Sequence, residues 1–259
     1  MGPNNIPNLV GMAYAIITVL IIYFLQYKGN FSLKIRIIFL GISTTLGFLI
    51  FAPMIPHQFQ NLFVQSAGKG QILPLMIVGI LLILALTFIF GRIFCGYACP
   101  IGAVQELVYL IPSKKLKINN KIIPTILRFV FLIFLISVGF LIDIKVLSYF
   151  GIKDFFTLSI GSFFFFIFFT LVIISIFIYR PFCRFLCPYG VLLSFTSIKS
   201  IFKLRRNDNC TDCKKCETAC PTNEAGRDDL KQECYMCNRC KDVCPVDAIE
   251  YKMGITYNR

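Results

Sequence analysis

The chain has 259 residues, 57% hydrophobic and 15% charged, with a formal net charge of +13. That balance excludes an ordinary soluble domain. The charge is also uneven: residues 1–206 hold 18 Lys/Arg against 3 Asp/Glu, while residues 207–259 hold 8 against 10. Such a split points to nucleic acid or to a membrane. Long apolar runs decide for the membrane, and the basic charge then needs no nucleic-acid partner.

The first apolar run, residues 9–27, is long enough to cross a bilayer at ~1.5 Å of rise per residue. The residues before it lack a basic stretch and no small-residue cleavage site follows, so a cleaved leader is not expected. Further runs lie at 37–55, 72–90, 124–142 and 160–179, giving an expected mostly α, polytopic bundle of five transmembrane helices. With Lys28, Arg92 and Arg180 placed on the cytoplasmic side, 15 of the 18 Lys/Arg outside the tail fall there. Only Lys69, Lys145 and Lys153 fall opposite, as the positive-inside rule requires. The N-terminus is then expected outside and the C-terminal tail in the cytoplasm. Residues 191–206 carry Val191, Phe195, Ile198 and Phe202 on one helical face and are expected as an amphipathic interfacial helix.

Two runs end in one pattern. R-I-F-C-G-Y-A-C-P-I-G covers residues 92–102 and R-P-F-C-R-F-L-C-P-Y-G covers residues 180–190, both R-x-F-C-x3-C-P-x-G. Each closes a pair of runs. Residues 37–190 therefore read as a parallel repeat about a pseudo-two-fold axis along the membrane normal. Residues 1–36 form an added helix and a basic loop. The axis is expected to bring Cys95, Cys99, Cys183 and Cys187 together at the cytoplasmic face. Pro100 and Pro188 keep Cys99 and Cys187 out of helical geometry and can each start a new helix. Gly102 and Gly190 allow close approach of backbone or cofactor.

Three readings of these cysteines stand open: a shared iron–sulfur cluster, two dithiols that cycle through disulfides, or helix packing by small buried residues. Soft thiolates beside an iron–sulfur tail favour the cluster, and a reducing compartment opposes standing disulfides. Weaker signals read as bland. His57, the one histidine, is a loop residue. Glu106 is a helix-surface carboxylate. Asp143 and Asp154 flank outer helix ends. Arg92 and Arg180 satisfy the positive-inside pattern and stand near enough to favour thiolates.

The tail, residues 207–259, contains C-x2-C-x2-C-x3-C-P twice, from Cys210 and from Cys234. This is the spacing of bacterial ferredoxins with two [4Fe–4S] clusters, in which the fourth cysteine of each run ligates the other cluster. Cys210, Cys213, Cys216 and Cys244 are expected to hold one cluster, and Cys234, Cys237, Cys240 and Cys220 the second. Zinc would want two close pairs instead of three plus a crossed fourth.

With these residues in view, residues 37–250 resemble the NapH-type membrane ferredoxins, relatives of the membrane part of NosR proteins and of the CcoG copper reductases. The resemblance rests on the two membrane motifs followed by the two tail runs. It implies an electron-transfer subunit, linking a quinol pool or a cytosolic donor to a reductase, with the twelve cysteines as the matching positions. The added first helix departs from that family's four-helix pattern. An outer flavin or haem would sit on another protein, since the chain has neither a flavin-attachment domain nor a C-x-x-C-H site. The expected function is one-electron relay between the tail clusters, the membrane-face cysteines and a quinone or outer redox partner. The alternatives are a copper- or disulfide-handling reductase and a membrane anchor for a catalytic partner.

Overall fold

The computed structural model describes residues 6–50, 56, 58–60, 62, 73–142 and 144–253. His57, Lys69 and Asp143 lie outside them. The apolar runs form α1 (Ile6–Tyr27), α2 (Leu33–Ile50), α3 (Leu73–Phe90), α5 (Ile122–Ile142) and α7 (Phe163–Ile174), with a short α4 (Pro100–Tyr109) after α3 and a short α6 (Ile152–Phe156) before α7. Three of them are long and apolar enough to cross a membrane: Leu9–Tyr27, Leu33–Ile50 and Ile122–Leu141. The fifth expected run is helical only over α7, after which the chain turns. Large side chains such as Phe140, 79% exposed, face outward, as they must where the solvent is lipid.

The chain does not simply leave the bundle after α3 and α7. It turns back in. After Gly91, at φ +73°, residues 94–98 make one wide turn closed by the Cys99 N–H donating to the Phe94 carbonyl at 3.0 Å. Residues 182–186 make the same turn, closed from Cys187 to Phe182 at 2.9 Å. These i→i+5 turns are single π-type steps, a form frequent at functional sites. Cys99 (φ −77°, ψ 119°) and Cys187 (φ −75°, ψ 110°) then extend, as a residue before proline prefers. Pro100 and Pro188 start helices that run back out, α4 and α8 (Pro188–Ile198).

The inward reach can be read from α2. Arg36 near its start touches the tail, at the Cys237 carbonyl and Asp242. Gly47 near its end leaves no room for a Cβ beside Pro100. The two are eleven residues apart, or ~16 Å of helix. Cys99, next to Pro100, therefore lies well inside the bundle, while Cys95 stays beside Tyr235 of the tail.

The helix expected over 191–206 is corrected. It ends at Ile198, and Phe202–Arg206 form a strand, β1. β1 pairs antiparallel with β2 (Ile249–Met253), Phe202 opposite Met253 and Arg206 opposite Ile249. The apolar residues read as one membrane-facing stripe serve two purposes. Val191 packs in the bundle and Phe195 stays exposed, while Phe202 stacks on Tyr251 at 5.7 Å. Between the strands lie α9 (Lys215–Ala219) and α10 (Arg239–Asp242), which carry Cys216 and Cys240.

Candidate functional site

Among the described residues, three cavities are each lined by four cysteines. Cys210, Cys213, Cys216 and Cys244 line a small cavity in the tail. Cys220, Cys234, Cys237 and Cys240 line one where the tail meets the bundle. Cys95, Cys99, Cys183 and Cys187 line one inside the bundle, with Phe94, Ile101, Phe182, Tyr189 and Leu193 around it. All twelve thiols are free. Four sulfurs round one zinc would each sit ~2.3 Å from it. Among the described residues no group of three or more Cys, His, Asp or Glu converges that way.

Backbone conformation explains how each tail run turns three thiols to one side. Asp212 and Lys214 in the first run, and Met236 and Asn238 in the second, take left-handed φ of 48°, 58°, 56° and 58°. Non-glycine residues in that region are uncommon and cluster at functional sites. The fourth cysteines are matched as well: the Glu224 N–H donates to Cys220 Sγ and the Ala248 N–H to Cys244 Sγ, both at 3.3 Å. Such N–H···S bonds are one of the protein's means of setting a cluster's potential.

The recessed cavity is built by crossed contacts between the repeats. Gln105, fully buried on α4, accepts from the Phe182 N–H at 3.0 Å and donates to Cys183 Sγ at 3.5 Å. Arg180 reaches back to the carbonyls of Cys95 and Gly96 and to Glu106 Oε2 at 2.8 Å. Arg128, in the seventh position of α5, donates to the Cys183 carbonyl at 3.4 Å. The two motif glycines make room for these guanidinium groups. A Cβ on Gly102 would stand 3.0 Å from Arg180 Nη1, and one on Gly190 3.3 Å from Arg128 Nη1.

Charge fits the same picture. Arg92, Arg128, Arg180 and Arg184 are all 2% exposed or less, and Nε of Arg92, Arg128 and Arg184 has no hydrogen-bond partner. Buried cations need compensating charge. Glu106 and Glu233 supply part of it, and a thiolate-bound iron–sulfur cluster, which is anionic, suits the remainder. Glu106 is thus not a surface carboxylate. It is 5% exposed and pairs with Arg239 at 2.5 Å as well as with Arg180. Burial alone would push its carboxyl up; the two arginines hold it down at about 2. Asp154 caps locally, accepting from the Ser162 hydroxyl.

The second and third cavities are joined by residues that sequence reasoning missed. Tyr235, beside Cys234, lies with its ring 4.4 Å from the Arg92 guanidinium and 4.9 Å from that of Arg180. Its carbonyl rests against Gly96, between Cys95 and Cys99, where a Cβ would not fit. Tyr179 borders the second cavity, meets the Tyr235 ring at 5.8 Å, and packs with it against Cys95. The one signal for this docking was compositional: an acid and an aromatic residue, Glu233 and Tyr235, flanking the tail cysteine Cys234.

A family described as a 4Fe–4S binding domain matches the chain twice, over residues 72–119 and 160–206, one match for each motif. An uncharacterized protein of Methanocaldococcus jannaschii is 36% identical over 203 residues, 73% of this chain and 82% of that protein. YccM of Escherichia coli, named as an electron transport protein, is 31% identical over 179 residues, 61% of this chain and 50% of YccM. The regulatory protein NosR of Stutzerimonas stutzeri is 28% identical over 151 residues, 52% of this chain and 21% of NosR. No solved structure matches the chain.

Proposed function

The chain belongs to the 4Fe–4S binding-domain family of iron–sulfur membrane electron-transport proteins, and from that we propose that it relays electrons singly along three centres in a row. Cys210, Cys213, Cys216 and Cys244 would hold the first. Cys220, Cys234, Cys237 and Cys240 would hold the second. Cys95, Cys99, Cys183 and Cys187 would hold a third, inside the bundle. The clusters supply the one-electron chemistry when bound; the protein supplies ligands, spacing and electrostatics. The tail faces the cytoplasm in this scheme, and onward transfer goes to a quinone or an outer redox partner.

The observation that carries it is the run of three four-thiol cavities. Arg206 and Ile249 border both the first and the second. Tyr235, which borders the second, lies against Gly96 and under Arg92, which borders the third. A dithiol that attacks disulfides is less well served by the recessed pairs. Cys99, Cys183 and Cys187 are 5%, 7% and 8% exposed, and a thiol buried in apolar surroundings stays protonated and unreactive unless a metal holds it.

Anaerobic purification with iron and sulfide counts tests the proposal. About twelve irons per chain are expected for three [4Fe–4S] centres, and about eight would restrict clusters to the tail. A colourless, iron-free protein would overturn it.

A further inference from the structure

The two motif arginines are equivalent by position, and each crosses to the other repeat. Arg180 finds a carboxylate there, Glu106 Oε2 at 2.8 Å. Arg92 finds a hydroxyl, Ser194 Oγ at 3.2 Å. Glu106 and Ser194 occupy the same place after their C-P pairs. The first repeat therefore carries its own acid and the second lacks one.

The tail supplies it. Glu233 Oε1 accepts from Arg92 at 2.9 Å, from Arg128 at 2.6 Å and from the Ser194 hydroxyl at 2.8 Å, and Glu233 is 2% exposed. The tail answers the other repeat too, with Arg239 paired to Glu106. Between these two pins runs the stretch that touches the motif turns. Tyr235 lies on Gly96, and the Met236 carbonyl accepts from the Tyr97 hydroxyl at 3.0 Å and from Gln26 Nε2 at 3.3 Å. The connector from α8 to β1 is only residues 199–201.

We propose that Glu233 is a positioning residue: it fills the acid place the second repeat lacks, and so makes the ferredoxin domain a fixed part of the bundle instead of a tethered shuttle. Removing one partner of a buried ion pair is strongly destabilising because the other charge is left behind. Arg92 and Arg128 would be left so by an undocked tail. The proposal rests on the assignment of clusters to the second and third cavities for its spectroscopic test alone.

The test uses the full chain, purified anaerobically, as wild type, Glu233→Gln, and Ser194→Glu/Glu233→Gln. The double variant returns an acid to Arg92 and Arg128 from within the bundle, so it protects against simple misfolding. Two readouts are taken: mutual magnetic broadening of the reduced second and third centres, and the rate at which trypsin releases the tail past exposed Lys199. Iron counts on the wild type check the clusters separately. Expected in both variants are tail release at least tenfold faster and loss of the broadening, with the double variant's bundle as heat-stable as wild type. Tail release at the wild-type rate in Glu233→Gln, or broadening that survives in the double variant, would overturn the proposal.

Discussion

Gly102 and Arg180 are in close contact: a Cβ added to the glycine would stand 3.0 Å from Arg180 Nη1 and 2.5 Å from the Cys95 carbonyl. The equivalent Gly190 is roomier, at 3.3 Å from Arg128 Nη1 and 3.4 Å from the Cys183 carbonyl. A backbone carbonyl cannot swing aside, whereas a few tenths of an ångström can be absorbed. Gly102→Ala is therefore expected to lower stability by about 1–3 kcal/mol, the usual scale for overpacking. Gly190→Ala is expected to cost less. Thermal unfolding of both variants in detergent measures the difference, and equal losses would contradict it.

Cys183→Ser separates the recessed centre from the tail. Cys183 lines only the cavity inside the bundle, away from the eight tail cysteines. The variant is expected to keep both tail centres, with iron falling from about twelve to about eight per chain, and to lose membrane-dependent reduction of the tail. Loss of the tail spectra themselves would contradict the ligand grouping.

Ion pairs at the docking face should differ widely in worth. Arg180 is 1% exposed and pairs with Glu106, whereas Lys121 and Asp229 are 38% and 20% exposed. Arg180→Ala leaves a buried carboxylate with one partner fewer and is expected to cost about 3–5 kcal/mol. Lys121→Ala is expected to cost under about 1 kcal/mol, because water screens the pair. Melting of the two variants side by side gives the comparison.

Glu106 sets an acid limit on docking. Its folded value of about 2 lies below its ordinary 4.5, so its pairing contributes stability that is fully present above pH 4.5 and is lost as pH falls through about 2. The melting difference between wild type and Glu106→Gln should be largest at neutral pH and shrink across that window. A difference that stays constant would rule out Glu106 as the titrating group.

Much of this was legible in order along the chain, and the gaps have physical causes. The tail spacing already divides its eight cysteines, and the cavities group the same residues. Pro100 and Pro188 announced their helix starts by steric rule. Depth was not legible. A charged residue after an apolar run reads as the edge of a bilayer, yet Arg92 and Arg180 begin segments that turn inward, held by Glu233 and Glu106 from distant parts of the sequence. Residues 202–206 misled for the same reason. Their strand partner, residues 249–253, lies across the whole tail, so the helical pattern was the only local signal.

The inward turn at Pro100 packs that proline against Gly47 of α2. Nearby runs a file of phenyl rings: Phe182 beside Cys183, then Phe168 at 6.0 Å, Phe155 at 5.0 Å and Phe48 at 5.6 Å. On the relay reading proposed above, an electron leaving the cavity of Cys183 in that direction would meet edge-on and tilted aromatic rings in place of saturated side chains.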